Sequence, residues 1–338
     1  MELPVKSKSV ILSSYNDNLV RAIVGIKLGE TTIELLNPDE VLIKMEAAPC
    51  NPSDIAFIRG GYNIQKSLPA VPGFEGAGII VEAGQDVKDR IGDIVSCFTQ
   101  HENSGTWSQY FIARARDCIS LKSGMEIDQA ACLSINPLTA YGLLELAVKK
   151  NAKAIVLNAA GGQVPSFIRI LAAKKGLRVI NIVRKQEHVD ALKEKGARDI
   201  LCSASENFES EFKGLANKRK ASVAFDAVGG EQTGLLLNNM PDGSEVVVYG
   251  GLSGQDCTGI DPLGIIFKGK TLSGFNLGDW TDGKRKDEFL KITDELQDMI
   301  IKGEIQTEIQ ASFKLRRVVE GIKSYIKSMS SGKVLFKP

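Results

Sequence analysis

The chain has little of what metal modules, disulfide scaffolds and nucleic-acid binders depend on. Among its 338 residues there are two histidines and six cysteines, and the cysteines, at positions 50, 97, 118, 132, 202 and 257, form no Cys-x-x-Cys pair. This spacing argues against a zinc module or a disulfide framework and fits a reducing cytoplasm. The formal net charge of +1 gives no support for binding to nucleic acid or to an anionic membrane.

Long apolar runs are also missing. No run reaches the roughly 18 residues that span a bilayer, and the N-terminal segment of residues 1–9 has no apolar signal core. The apolar share of 43% and the charged share of 25% are those of a folded globular protein. We therefore expect a soluble, cytoplasmic protein without a membrane partner, long enough for two domains.

The sequence pattern changes near residue 125. Residues 1–124 hold short β-branched runs cut by glycine and proline, such as Trp107–Ala113, which predict a small barrel or sandwich, and Asn51–Asp54 predicts a turn. After residue 125, buried strands alternate with helices, which predicts an α/β fold with a parallel sheet covered on both faces. The predicted strands are 153–158, 177–183, 199–202, 222–226, 244–249 and 270–275, and the predicted helices are 163–175, 186–195, 205–217, 230–240 and 289–301. The charged run 282–288 is expected to be a solvated loop.

The most informative stretch is the predicted strand that ends in Asn158-Ala-Ala-Gly161-Gly162. Small residues between a strand and a helix let a pyrophosphate approach the backbone and the N–H groups at the helix start. The third glycine of the usual G-x-G-x-x-G fingerprint is absent, because Pro165 stands there. Proline is tolerated in a first helical turn. The stretch therefore predicts the first β-α-β unit of a dinucleotide-binding fold.

The end of the next predicted strand distinguishes the cofactors. An acidic residue there suits the ribose hydroxyl of NAD, whereas a basic one suits the 2′-phosphate of NADP. This chain has Arg184 and Lys185 at that point and no acid before Glu187. Arginine binds phosphate through two charge-assisted hydrogen bonds, so we predict NADPH. Two further glycine pairs, after Asp226 and after Tyr249, follow predicted strands at the same sheet edge.

Motifs along nearly the whole chain resemble the medium-chain dehydrogenase/reductases, and among them the zinc-independent reductases. The motifs are Ala47–Asp54, Gly60–Tyr62, Leu68–Gly78, Gly105–Trp107, Asn136–Tyr141, Val248–Gly251 and Ser331–Val334. The resemblance implies a Rossmann doubly wound sheet inserted into a β-rich GroES-like domain. The implied limits are 1–124 for the GroES-like domain, 125–271 for the Rossmann domain and 272–338 for the return. Zinc members have a cysteine where Asn51 stands and a histidine where Phe74 stands, so no metal is expected.

Within that group the chain looks most like the 2-enoyl thioester reductases, although quinone oxidoreductases share the scaffold. This resemblance implies that Tyr62 is the proton donor, and Asn51 is expected to orient nicotinamide or substrate. The expected cofactor-binding residues are Asn136, Thr139, Asn158, Gly161, Gly162, Gln163, Val164, Arg184, Lys185, Gln186, Tyr249, Gly250, Gly251, Leu252, Phe275, Leu277 and Lys333. The chain departs from the branch at Gly161–Pro165 and at Asn276, where a second aromatic residue is usual.

The expected reaction is hydride transfer from NADPH to an activated C=C bond, with an enoyl thioester as the leading substrate class. The first alternative is an NADPH:quinone oxidoreductase, and the second is a non-catalytic NADPH sensor. Trp107 and Trp280 are candidates for the floor of an acyl pocket, although large aromatic residues more often belong to the core. The family resemblance implies a homodimer joined through the Rossmann domains.

Overall fold

The computed structural model describes residues 4–338; Met1, Glu2 and Leu3, the first positions of the N-terminal segment without an apolar core, lie outside the described residues. The chain separates into two compact units. The first unit runs to Pro137 and resumes with Leu290–Pro338, and the second unit is Leu138–Phe289. These limits lie further along the chain than the predicted domain limits after residues 124 and 271, which stay predictions.

Fifteen strands and twelve α-helices lie within the described residues. The strands are β1 (Lys6–Leu12), β2 (Ile26–Thr32), β3 (Glu40–Pro49), β4 (Glu75–Ala83), β5 (Ile94–Phe98), β6 (Tyr110–Arg114), β7 (Cys118–Ser120), β8 (Ala154–Leu157), β9 (Arg178–Val183), β10 (Asp199–Cys202), β11 (Ala221–Asp226), β12 (Glu245–Val248), β13 (Thr271–Gly274), β14 (Ile309–Lys314) and β15 (Lys333–Lys337). The helices are α1 (Leu19–Val24), α2 (Pro52–Ile58), α3 (Ile127–Ala130), α4 (Asn136–Lys149), α5 (Gln163–Lys174), α6 (Gln186–Glu194), α7 (Phe208–Arg219), α8 (Glu231–Asn239), α9 (Pro262–Lys268), α10 (Leu277–Asp282), α11 (Lys286–Ile301) and α12 (Val318–Lys327).

The first unit is built on a seven-stranded sheet in the order β14-β15-β3-β4-β5-β7, with β6 paired to β3 and a separate β1–β2 pair. The last strand of the chain, β15, pairs antiparallel with β3, so both chain ends supply this sheet. The turn predicted at Asn51–Asp54 is wrong, because Asn51 is instead the N-cap of α2. Pro52 fits the first helical position, where no backbone donor is needed, and Asp54 completes a capping box.

The second unit is a six-stranded parallel sheet in the order β10-β9-β8-β11-β12-β13. This is the doubly wound order, in which the crossovers reverse between β8 and β11 and open a ligand crevice at the carboxyl ends of these strands. All six predicted strands are present. Most of them are buried and read as continuous apolar runs, whereas β13 is a mostly exposed edge strand. Helix α9 between β12 and β13 was not predicted.

The charged run 282–288 differs from the expected solvated loop. Helix α10 ends at Asp282 and α11 begins at Lys286, so helices take up most of the run. The side chain of Lys284 is only 7% exposed and its ammonium lies 2.7 Å from Glu145 Oε2. It also lies 5.0 Å from the ring centroid of Trp280. Lys284 is held by these partners, whereas Asp282, Arg285, Lys286 and Asp287 are exposed to solvent, so the run is largely helical but mostly solvated as expected.

Candidate active site and nucleotide site

The carboxyl ends of β8 and β11 in the second unit are tied together by Asn158 and Asp226. Both side chains are buried. Asn158 Nδ2 donates to Asp226 Oδ1 over 2.5 Å, and Asn158 Oδ1 accepts from the N–H of Ala227 over 2.8 Å. Asp226 also accepts from the hydroxyl of Thr233 over 2.6 Å. Asn158, predicted as a cofactor contact, therefore shapes the crevice through its neighbours at the point where the crossovers reverse.

The turn after β8 leaves its outer side open. An added Cβ at Gly161 would meet nothing within 4 Å. Helix α5 begins at Gln163 without a side-chain cap, so the first N–H groups of the helix have no protein acceptor. Pro165 is the third residue of α5, which confirms that proline is accommodated in the first turn. Gln163 Oε1 is buried without a hydrogen-bond partner. These features fit the pyrophosphate of a dinucleotide.

Beside this turn lies the end of β9, where the two cationic residues stand. The N–H of Ala160 donates to the carbonyl of Ile182 over 3.1 Å, so the turn and the strand end are joined. Arg184 and Lys185 are both exposed. Lys185 Nζ lies 3.1 Å from Glu187 Oε1, so part of its charge is balanced by that carboxylate. This edge therefore presents exposed cationic side chains next to the turn.

The first glycine of the pair after β12, Gly250, is required by close packing. The N–H of Tyr249 donates to the carbonyl of Asp226 over 2.9 Å. An added Cβ at Gly250 would lie 2.8 Å from the carbonyl oxygen of Ala227, so a larger residue would displace that backbone. Burial raises the pKa of Tyr249 well above its ordinary value, so its phenol stays protonated. Gly251 and Leu252 follow on the surface.

Phe275 and Trp280 line a cavity of about 810 Å³ in the second unit, between α4, α10 and the ends of β12 and β13. Trp280 Nε1 donates to Glu145 Oε2 over 3.0 Å. Trp107, by contrast, is completely buried in the first unit, and its Nε1 donates to the carbonyl of Pro49 over 3.0 Å. Of the two tryptophans considered for an acyl pocket, Trp107 is thus a core residue and Trp280 lines a cavity.

A buried polar network in the first unit connects residues from both ends of the chain. Asn51 Nδ2 donates to Glu75 Oε2 over 2.9 Å, and Lys333 Nζ donates to Asn51 Oδ1. The N–H of Asn51 donates to Asp54 Oδ2 over 2.7 Å. Glu75 Oε1 accepts from the N–H of Ile135 over 2.7 Å, next to Asn136 at the start of α4. Both polar atoms of the Asn51 side-chain amide therefore have a protein partner.

The two carboxyl groups of this network are strongly affected by burial. Desolvation raises the pKa of Asp54 from 3.8 to about 7, although two backbone N–H donors and the charge of Lys333 act in the opposite direction. Desolvation likewise raises the pKa of Glu75 from 4.5 to about 7, opposed by Lys333 and Asn51. Lys333, predicted as a cofactor contact, is 3% exposed and supplies the positive charge among these groups. Its direct contact with a cofactor stays a prediction.

Tyr62 is half-buried against this region of the first unit. Its ring centroid lies 5.2 Å from that of Phe74, the residue before Glu75. Desolvation, reinforced by the negative charge of Asp54, raises the pKa of Tyr62 above 10, while a hydrogen bond with Gln100 acts against it. The phenol is therefore protonated at neutral pH and chemically suited to donate a proton or a hydrogen bond.

The predicted residues thus form separate groups in the two units. In the first unit Asn51 and Lys333 are in direct contact. Asn136 follows Ile135, whose N–H donates to Glu75. In the second unit, Asp226 links Asn158 to Tyr249 and Gly250, while the turn of Gly161–Val164 lies beside the strand end of Arg184–Gln186. Thr139 is buried in α4, and Leu277 begins α10.

Sequence reasoning missed three buried ionisable groups near these residues. Asp54 and Glu75 belong to quoted motifs, but only their burial reveals them as parts of a network. Lys66 is 2% exposed, and its ammonium lies 5.7 Å and 5.5 Å from the ring centroids of Phe57 and Phe74. Desolvation lowers the pKa of Lys66 to about 8. A charged residue in a glycine-rich loop gives no sequence signal of such burial.

Within residues 4–338, no three His, Cys, Asp or Glu side chains come together as metal ligands would. Phe74, at the position where zinc members have a histidine, offers no donor atom and stacks edge-on against Phe57 with ring centroids 5.2 Å apart. Among the same residues, no helix has both the length and the apolar character needed to cross a bilayer.

A GroES-like unit built from both chain ends and a doubly wound nucleotide-binding unit define a dehydrogenase or reductase architecture. Residues 37–123 match the family model "Alcohol dehydrogenase GroES-like domain", and residues 166–296 match "Zinc-binding dehydrogenase". The chain belongs to the medium-chain dehydrogenase/reductase family, among its zinc-independent, NAD(P)H-dependent reductases. The predicted fold class is thereby confirmed.

Two mitochondrial enoyl-[acyl-carrier-protein] reductases are similar to most of the chain. The Arabidopsis thaliana enzyme is 30% identical over 319 residues, which cover 91% of this chain and 84% of that protein. The Bos taurus enzyme is 32% identical over 289 residues, covering 83% and 76% respectively. These relatives span both units.

Two solved structures are similar over the full length. A Mesorhizobium loti protein assigned as an NADPH:quinone reductase has a TM-score of 0.93 and 28% identity, covering 100% of both chains. The complex of Etr1p with NADP and crotonyl-CoA has a TM-score of 0.81 and 23% identity, covering 99% of this chain and 100% of that chain. At this identity the second similarity supports the fold alone.

Proposed function

We propose that this chain is an NADPH-dependent reductase of 2-enoyl thioesters, in which Tyr62 is the acid. The observation that carries the proposal is the half-buried Tyr62 phenol, kept protonated by desolvation and by the charge of Asp54. The similarity to enoyl reductases over 91% of the chain supports the choice of substrate class.

NADPH, when bound, supplies a hydride to the β-carbon of the conjugated C=C bond. Negative charge then develops on the carbonyl oxygen of the thioester, where a hydrogen-bond donor lowers the barrier, typically by about 3 kcal/mol. Tyr62 either donates a hydrogen bond to that oxygen or protonates the α-carbon. Asn51 donates to Glu75 and accepts from Lys333, and its orientation of the nicotinamide or the substrate stays a prediction.

The preference for NADPH over NADH rests on the adenosine end of the nucleotide site. Arg184 is exposed directly after β9, and the nearest acid in the sequence, Glu187, lies 3.1 Å from Lys185. The two residues that directly follow β9 are therefore cations, and the nearest acid along the chain is paired with one of them. A guanidinium suits a 2′-phosphate, whereas NAD-binding sites use an acidic residue at this point. We propose the remaining cofactor-binding residues because the family resemblance implies them.

Quinone reduction is the second candidate function, favoured by the full-length similarity to the Mesorhizobium loti protein. A titration with NADPH tests all three candidate functions, because each requires saturable NADPH binding. If no such binding were found, both reductase functions and the non-catalytic sensor would be excluded. NADPH oxidation is then followed separately with crotonyl-CoA and with a 1,4-quinone. Activity with the quinone alone would contradict the thioester assignment.

Tyr62→Phe tests the proposed acid. We expect turnover with crotonyl-CoA to fall about a hundredfold, with NADPH affinity unchanged, because the substitution removes only the phenolic hydroxyl. Tyr110→Phe, on β6 of the same unit, is the matched control and should retain full activity. Turnover unchanged by Tyr62→Phe would exclude Tyr62 as the acid.

We also propose a homodimer joined through the second unit. Strand β13 is the edge of the parallel sheet, and α9 next to it exposes Ile266 and Phe267 by 65% and 77%. Exposed apolar side chains beside an unpaired sheet edge are typical of an interface. Light scattering that finds only monomer at micromolar concentration would contradict this. The cytoplasmic location stays a prediction, and the two relatives described above are mitochondrial by name.

A further inference from the structure

Arg169, in the second turn of α5, is a cation beneath the nucleotide turn that the sequence did not single out. Its Nη1 donates to the carbonyl of Ala160 over 2.7 Å and lies 3.3 Å from Asn181 Oδ1 on β9. A helical side chain points back toward the helix N-terminus. The guanidinium accordingly reaches the turn between β8 and α5.

No acid compensates this charge. Within residues 4–338 the structure shows no ion pair of Arg169, and its two acceptors are a backbone carbonyl and a neutral amide. Asp199 belongs to the same network, but it offers Asn181 only its carbonyl, and its carboxylate holds Arg219 in a forked pair with distances of 2.7 Å and 2.8 Å. Desolvation lowers the pKa of Arg169 to about 10, so the guanidinium remains charged at neutral pH.

The location of the charge indicates which ligand would compensate it. Ala160 is joined to Ile182 by its N–H and to Arg169 by its carbonyl. Arg169 is therefore anchored to the turn that faces the dinucleotide, and Arg184 follows Ile182 by two positions. Pro165 also removes one of the N–H donors that a different residue would offer in the first turn of α5. An anionic group at this turn would balance this half-buried charge.

We propose that Arg169 is a second cation of the nucleotide site, a positioning residue that holds the turn through Ala160 and attracts a phosphate group of the dinucleotide. This inference rests on the proposed NADPH function. Two phosphate groups could interact with Arg169 in this way, namely the 2′-phosphate of NADPH and the diphosphate common to NADPH and NADH. A comparison of NADPH binding with NADH binding distinguishes between these two groups.

The test separates the charge of Arg169 from its hydrogen bond. Arg169→Gln keeps a donor for Ala160 but loses the charge, and Arg169→Lys keeps both a donor and the charge. Arg178→Gln is the matched control, because Arg178 is an exposed arginine at the opposite end of β9. The dissociation constants for NADPH and NADH are measured by fluorescence titration at low and high salt, and urea unfolding verifies that each variant is folded.

We expect Arg169→Gln to weaken NADPH binding about tenfold or more, as for the loss of one charge-assisted interaction. Arg169→Lys should stay within about threefold of the wild type, and the salt dependence should decrease only for Arg169→Gln. A greater loss for NADPH than for NADH assigns the 2′-phosphate, and an equal loss assigns the diphosphate.

Equal losses in Arg169→Gln and Arg169→Lys would show a structural role of the hydrogen bond and overturn the proposal, as would wild-type affinity in both variants. A wild-type chain that binds neither dinucleotide would overturn the proposed function as well. Wild-type binding that Arg169→Gln leaves unchanged would overturn this inference alone.

Discussion

Replacing Lys333 with methionine should destabilise the protein at alkaline pH and much less at acidic pH. Lys333 is buried, and its charge favours ionisation of both Asp54 and Glu75. Methionine approximates the volume of the lysine stem but removes the ammonium. The remaining carboxyl groups then avoid a buried negative charge by staying protonated.

The magnitude follows from the two pKa values. Each carboxyl has a pKa of about 7 in the folded protein, above its ordinary values of 3.8 and 4.5. A raised folded pKa means that the stability from protonation is complete below pH about 4 and is lost as the pH rises through about 7. At pH about 5.5 both groups are already protonated, so the loss of Lys333 adds almost no electrostatic cost.

At pH about 8 the result differs. This pH lies about one unit above the folded pKa of each carboxyl group, so both groups are mostly ionised in the wild type. In the variant they remain protonated instead. Each therefore costs about 1.4 kcal/mol more, which gives about 3 kcal/mol for the pair. The hydrogen bond to Asn51 is lost at either pH and adds about 1–3 kcal/mol throughout.

The assay is urea unfolding of wild type and Lys333→Met at both pH values. The destabilisation should be about 3 kcal/mol larger at pH about 8 than at pH about 5.5. Lys337→Met on the same strand is the control, because Lys337 is 34% exposed beside Asp128 and should cost less than about 1 kcal/mol at either pH. A difference between the two pH values below about 1 kcal/mol would refute the electrostatic role of Lys333.

Four further substitutions test packing and the crevice. Asp226→Asn replaces an acceptor of several hydrogen bonds and should lower the free energy of unfolding by about 3 kcal/mol and weaken NADPH binding in titration. Gly142→Ala should destabilise by about 1–3 kcal/mol, because its Cβ would lie 2.6 Å from Phe275 Cζ. Gly214 is a helical glycine with nothing within 4 Å of an added Cβ, so Gly214→Ala should instead stabilise the protein by about 0.5–1 kcal/mol in urea unfolding. If Gly214→Ala destabilised the protein as much as Gly142→Ala, the packing argument would be contradicted. Trp107→Phe should lower Tm, because it removes the bond to a buried carbonyl; an unchanged Tm would contradict this.

The parallel sheet was predictable because its signal is local. Most of the strands from β8 to β12 are short apolar runs, and the helices between most of them have recognisable periods. Helix α9 was missed because its apolar residues face outward, so the run Leu263–Phe267 lacks the pattern of a helix packed on a core. The start of α2 was read as a turn, since proline marks both a turn and a first helical position.

The turn and the strand end that we propose as the nucleotide site were predictable as local structure for the same reason, and the network in the first unit was not. The turn at Gly161 and the basic pair after β9 each lie within a few residues of a strand end. The bond from Asn51 to Glu75 spans 24 residues and that from Lys333 to Asn51 spans 282. No spacing rule joins residues that meet only because β15 pairs with β3.

The sequence alone therefore determined the family-level architecture, the nucleotide turn and the cationic end of β9, because strand, turn and helix preferences are set by neighbouring residues. Only the tertiary structure decided which polar groups are buried together. It brought Lys333 to the carboxyl groups of Asp54 and Glu75, and it placed Arg169 beneath Ala160 without an acid. Burial and long-range pairing set these charges and pKa values, and neither is encoded in any single stretch of the chain.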